Sequence, residues 1–134
     1  MTDNTSTPGE PRALRVLVVE DDLDNAALLR MLLVRRGFAV TLATTVGAAL
    51  AAAAAEPMDI VISDLRLPDG RGEDLVRQLH AGPRRVPAIA LTGRVDPESV
   101  ESARAAGFDE HLGKPISIDR LVAALRRIAQ RGDG

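Results

Sequence analysis

The sequence predicts a doubly wound α/β fold built on a five-stranded parallel sheet. Two observations carry this expectation. After residue 12, short apolar runs and helical segments alternate five times along the chain. Several of those runs, VLVV and IVIS among them, are almost uniformly apolar rather than alternating, as expected when helices cover both faces of a sheet. Layered sheets of this kind bind their ligands at the carboxyl ends of the strands, near the point where strand order reverses.

Each element has its own signal. Residues Met1 to Arg12 are rich in Thr, Asn, Ser, Pro, Gly and Glu; they cannot bury apolar area and read as a disordered tail or linker ahead of one domain spanning 13–131. Leu14 to Val19 is the first strand. Leu23 to Arg36 has helical spacing and stops at Gly37, a natural C-terminal cap. Ala39 to Ala43 is the second strand, and Thr45 caps an alanine-rich helix running to about Glu56. Ile60 to Ser63 is the third strand, and Gly72 to about Ala81 is helical. Pro87 to Leu91 is the fourth strand. Asp96 caps a helix that opens on Pro97, a favoured first position, and ends before Gly107. Glu110 to Leu112 is a short fifth strand. Ser117 caps a last helix whose Leu121, Leu125 and Ile128 share one face.

Composition narrows the function. The 134 residues are 46% hydrophobic but only 1% aromatic, so the core must be aliphatic. A net charge of -2 argues against direct contact with nucleic acid. Cysteine is absent, which excludes disulfides and thiolate metal sites. No basic start followed by an apolar stretch marks a secretory signal, and the alanine run is too short to span a bilayer. The expectation is a soluble, cytoplasmic protein without a membrane partner. Of 17 basic residues, Lys114 is the only lysine.

The strand ends deliver a particular set of groups to one rim. The first strand gives Glu20, Asp21 and Asp22, the third gives Asp64, the fourth Thr92, and the fifth Lys114 followed by Pro115. Carboxylates this close repel unless a cation sits between them. Hard oxygen ligands with few other partners suit Mg²⁺, which keeps waters and shares its shell with phosphate.

The segments VLVVEDD, VISDLRLPDGRG, IALTG and HLGKP, in this order and at these strand ends, resemble the receiver domain of two-component response regulators, from about Leu14 to Gln130. The resemblance implies a flavodoxin-like sheet of strand order 2-1-3-4-5. It implies that Asp64 accepts a phosphoryl group from a phosphohistidine and becomes an acyl phosphate. It assigns Glu20 and Asp21 to the acidic pair that holds Mg²⁺, with Asp64 and the Arg66 backbone carbonyl as further ligands. Mg²⁺ and Lys114 would neutralise charge on the moving phosphoryl. The family's bond between Lys114 and Pro115 is usually cis. Thr92 would bond the attached phosphoryl and move towards it, and His111 stands where the family carries its switch aromatic.

Partners follow from the same resemblance: a sensor histidine kinase or histidine phosphotransfer protein as donor, and an unknown downstream protein engaged through the last two helices and the fifth strand. A homodimer is compatible with it. On the first helix, Leu28, Leu29, Leu32 and Leu33 are expected to face the sheet, leaving Ala26, Ala27, Met31 and Val34 as an outer apolar stripe for donor docking. The chain reads as a phosphorylation-controlled switch rather than an enzyme, with no visible output domain. Two contexts fit equally well, a complete single-domain regulator or the receiver portion of a hybrid kinase.

An aspartyl-phosphate-forming phosphatase or hydrolase of haloacid dehalogenase type is the alternative, but it needs a second Asp where Arg66 stands. Asp22 and Asp24 read as solvated starts to the first helix, Asp69 with Gly70 as turn chemistry, and His80 as an exposed helix residue. Two departures from the family stand out. His111 in place of Tyr or Phe is expected to make the switch weaker or pH-sensitive. Arg66 and Arg94, each two residues past a site residue, are placed to pair with phosphoryl oxygens and prolong the acyl phosphate.

Overall fold

The computed structural model describes residues 13–93 and 96–133. Arg94 and the tail 1–12 lie outside the described residues.

Five strands and five helices alternate as the apolar runs require: β1 (Arg15–Val19), α1 (Leu23–Arg35), β2 (Ala39–Ala43), α2 (Val46–Ala55), β3 (Ile60–Asp64), α3 (Gly72–His80), β4 (Ala88–Thr92), α4 (Pro97–Ala106), β5 (Glu110–Gly113) and α5 (Ile118–Asp133). The sheet is wholly parallel, in the order β2-β1-β3-β4-β5. This is the predicted doubly wound order, with one addition. A two-residue antiparallel ladder, Arg66–Leu67 against Gly70–Arg71, forms between β3 and α3.

The pleat sorts the apolar strands onto two cores. Val16 and Val18 of β1, with Ile60, Ile62, Ile89 and Leu91, meet Leu29 and Leu33 of α1 and Leu121, Leu125 and Ile128 of α5. Leu17 and Val19, with Val61, Ala88 and Ala90, meet Ala49 of α2, Leu75 and Val76 of α3 and Ala103 of α4. Helices on both faces explain why the central strands need no polar alternation.

Helix ends follow local chemistry. The carboxylate of Asp22 accepts from the Asn25 amide at 3.0 Å, Thr45 Oγ1 from the Ala48 amide at 3.0 Å, and Asp96 from the Ser99 amide at 2.9 Å. Pro97 opens α4, and Gly107 closes it at φ 118, a left-handed conformation that favours glycine.

One helix turns differently from the expectation. Ala26 of α1 is buried at 1% exposure, and Leu28 is 50% exposed. The apolar residues nearly encircle this helix, so their spacing alone left its phase underdetermined. The sheet takes Ala26, Leu29 and Leu33, while Ala27, Leu28, Met31 and Val34 face outward.

Candidate functional site

Because all five strands run the same way, their carboxyl ends share one edge. There the structure brings together Glu20, Asp21, Asp64, Thr92 and Lys114 in one cleft, with Arg66 on its wall. Ligand oxygens of Glu20, Asp21 and Asp64 lie within 4.8 Å of one another. Glu20 and Asp64 are buried, and Asp21 is exposed.

The lysine closes the group. Lys114 Nζ lies 2.7 Å from Asp64 Oδ1 and donates to Glu20 Oε1 at 3.3 Å. Its backbone N–H donates to the Thr92 carbonyl at 2.8 Å, which ties the end of β5 to the end of β4. The Lys114–Pro115 bond is cis, as the resemblance implied. Thr92 is buried at the end of β4.

The electrostatics separate the two buried acids. Burial, reinforced by the neighbouring Glu20, pushes the Asp64 carboxyl up to about 7, although the Lys114 ammonium pulls the other way. Burial also acts to raise Glu20, but hydrogen bonds with Asp64 and the Asp22 amide, and the Lys114 charge, hold it below its ordinary value. Burial opposes the charge on Lys114, but the two carboxylates prevail and raise its pKa. Two buried acids facing one ammonium leave a surplus negative charge, which a proton on Asp64 relieves. The same site offers three hard oxygen donors at close quarters, a donor set that fits a small divalent cation such as Mg²⁺.

The backbone after Asp64 is tightly held. The Ser63 hydroxyl donates to the Asp64 carbonyl at 2.8 Å. Gly72 packs so closely that a Cβ there would lie 2.4 Å from the same carbonyl oxygen. Arg66, expected to contribute its carbonyl, sits in the two-residue ladder opposite Arg71 with its side chain exposed. Asp69 occupies a turn as expected, but its carboxylate also reaches α2, accepting from the amides of Val46 at 2.7 Å and Gly47 at 3.0 Å.

Glu73 was not singled out in the sequence. It is a buried carboxylate on the cleft wall, paired with Arg71 at 3.1 Å and accepting from the Ser102 hydroxyl of α4 at 3.4 Å. Burial works against its charge, but Arg71 and the hydrogen bonds hold its pKa low. Its helical spacing from Val76, three residues on and fully buried, was the available signal.

Two further expectations need correction. His80 is half-buried rather than exposed, with Nε2 2.9 Å from the Val86 carbonyl oxygen and Nδ1 2.7 Å from where a Cβ on Gly107 would stand. The absence of a side chain at Gly107 is what admits the ring. Ala26 cannot belong to an outer docking stripe, since it packs beneath α1. Ala27, Met31 and Val34 do lie on the exposed side, joined by Leu28 and by Leu23 at 71% exposure. His111 is exposed on β5, paired in register with Ala90.

The chain is similar to known proteins in sequence and in fold. The family model described as the response regulator receiver domain matches residues 16–126. The transcriptional regulatory protein KdpE of Mycobacterium tuberculosis is 40% identical over 116 residues, covering 87% of this chain and 51% of its own length. The virulence sensor protein BvgS of Bordetella bronchiseptica is 36% identical over 134 residues, covering 94% of this chain and 11% of its own. The chain thus spans about half the length of the first relative and about a tenth of the second. Among solved structures, a CheY-like receiver domain protein from Methanospirillum hungatei superposes with a TM-score of 0.83 at 27% identity, over 91% of this chain and 99% of that one. The hydrolase alternative finds no support in these likenesses. Sequence, sheet order and the acid–lysine cluster therefore converge, and the chain belongs to the response regulator receiver domain family.

Proposed function

We propose that Asp64 is the phosphoacceptor of this receiver and that Glu20, Asp21, Asp64 and the Arg66 carbonyl hold Mg²⁺. The observation that carries the reading is the ammonium of Lys114 at 2.7 Å from the Asp64 carboxylate, at the edge where three acids gather. A carboxylate oxygen of Asp64 attacks the phosphorus of a phosphohistidine whose other ring nitrogen carries a proton, the new P–O bond forms as the P–N bond breaks, and the imidazole leaves neutral, keeping that proton. Asp64 must be ionised to attack, and Lys114 favours that form. The bound cation would supply further neutralisation of charge on the transferring group. Once the acyl phosphate exists, Lys114 is placed to pair with it, and Thr92 Oγ1 is the hydroxyl at the neighbouring strand end.

The donor is a sensor histidine kinase or histidine phosphotransfer protein, docking on the apolar stripe of Ala27, Met31 and Val34 together with Leu28. Thr92 and His111 carry the phosphorylation signal to the α4–β5–α5 face, where a downstream protein or a second copy binds. The domain occupies 13–131. The site of action in this reading is cytoplasmic; no described helix is long and apolar enough to cross a membrane. The chain serves as a stoichiometric switch rather than a turnover catalyst. Incubation with acetyl phosphate and Mg²⁺ tests this: labelling saturates at one phosphoryl per chain, whereas sustained multiple turnover on phosphate esters contradicts the switch.

A further inference from the structure

After Asp64 the chain must turn back within a few residues, because α3 already begins at Gly72. It does so through a ladder of only two pairs, Arg66 with Arg71 and Leu67 with Gly70, with Pro68 and Asp69 at the tip. A hairpin this short does not hold itself in water. Anchors outside it must fix its position. At the root, the Gly72 N–H donates to the Leu65 carbonyl at 3.0 Å. At the tip, the Asp69 carboxylate accepts the N–H groups of Val46 and Gly47, the first two residues of α2, at 2.7 and 3.0 Å.

The two partners complete one another. The first amides of a helix have no intrahelical acceptor. Thr45, the cap of α2, takes the Ala48 N–H and leaves those of Val46 and Gly47 to Asp69. Helix α2 has no acid in its own first turn, so Asp69 supplies the carboxylate that the positive end of a helix favours. Apolar contact runs alongside. Leu67 packs against the cluster that contains Val46, and a Cβ on Gly70 would stand 3.3 Å from Val46 Cγ2. The hairpin between Asp64 and α3 is therefore staked at its far end to a different helix.

We propose that Asp69 is a positioning residue: by fastening the hairpin tip to α2 it fixes the backbone at Arg66, and with it the metal-facing side of the site, without lining the cleft itself. This rests on the reading of the site given above. The test is calorimetric titration of the full chain with Mg²⁺ at pH 8, alongside amide hydrogen exchange of residues 65–71 without metal. Asp69→Ala is expected to weaken Mg²⁺ binding by about tenfold, the scale typical of groups that orient metal ligands, and to speed exchange in the hairpin about as much. Asp69→Asn, which keeps one acceptor oxygen, recovers part of both. Thr45→Ala loosens the same helix terminus without touching the hairpin, and is expected to bind Mg²⁺ within about twofold of wild type. Wild-type affinity in Asp69→Ala, or an equal loss in Thr45→Ala, overturns the proposal. A wild type that binds no Mg²⁺ overturns the reading of the site instead. The exchange data then decide the staking alone: hairpin exchange unchanged in Asp69→Ala refutes it, and faster exchange there but not in Thr45→Ala upholds it.

Discussion

Lys114 Nζ stands 2.7 Å from Asp64 Oδ1, although the two residues come from the ends of strands separated by β4 in the sheet. The ammonium is shared with Glu20 at 3.3 Å, so one cation serves two buried acids. Replacing Lys114 with Met leaves that pair without its cation. Phosphorylation by acetyl phosphate is expected to slow by roughly a hundredfold, the scale of losing one preorganised charge-stabilising group. Lys114→Arg keeps the charge but not the compact ammonium, and should fall between. The rate of phosphoprotein formation by intact mass checks both, and an unimpaired Lys114→Met would place the stabilising charge elsewhere.

The site also sets a pH dependence of stability. Asp64 is raised from 3.8 to about 7 in the folded chain. Between those values the folded state holds a proton that the unfolded state has released, so this group makes the metal-free protein less stable as pH rises, with the loss complete above about pH 7. Asp64→Asn removes the effect. In EDTA its gain in Tm over wild type should therefore be larger at pH 8 than at pH 5, by roughly 9 °C for a domain of this size. Thermal unfolding followed by circular dichroism at both pH values measures this, and a gain independent of pH contradicts it.

Glu73 offers a second test of burial. Arg71→Ala leaves its buried carboxylate with Ser102 as a remaining partner and should destabilise the chain. Glu73→Leu removes the charge as well, and should be close to neutral or stabilising. Glu73 has a depressed pKa, so its pairing stabilises the fold above the unfolded value of 4.5 and is lost as pH falls through the folded one. The penalty of Arg71→Ala should accordingly shrink towards pH 3. Urea unfolding of the two variants at pH 7 and pH 3 decides it.

The outer face of α1 predicts a separation of functions. The pair Met31→Glu and Val34→Glu alters exposed side chains only, so folding and labelling by acetyl phosphate should stay as in wild type. Transfer from the cognate phosphohistidine donor should slow by about tenfold or more, the cost of placing charge in an apolar contact. Ala26→Glu, by contrast, forces a carboxylate into the core and should destabilise the chain outright. Stopped-flow transfer kinetics with and without the donor distinguish the two effects, and unchanged transfer in the double variant would remove the docking role.

The legible and illegible parts of this structure differ in physical kind. Strand β2 and helix α4 have the bounds expected of them because their punctuation is local: Gly37 before β2, and Asp96, Pro97 and Gly107 around α4. Glu20 and Asp64 could be placed because each stands at the end of an apolar strand, and Lys114 because it is the sole lysine and stands in the segment HLGKP. The phase of α1 could not, since Leu28 and Ala26 exchange places with no change in pattern. Nor could the environments of Glu73, His80 and Asp69. The partners Ser102, Gly107 and Val46 lie on other elements, and only tertiary packing brings them close.

The most direct measurement is the intact mass of the chain after acetyl phosphate, taken with Mg²⁺ and with EDTA, for wild type and Asp64→Asn. The account predicts one added phosphoryl on the wild type, dependent on Mg²⁺ and absent from the variant. A phosphoryl retained by Asp64→Asn, or added equally well in EDTA, would contradict it.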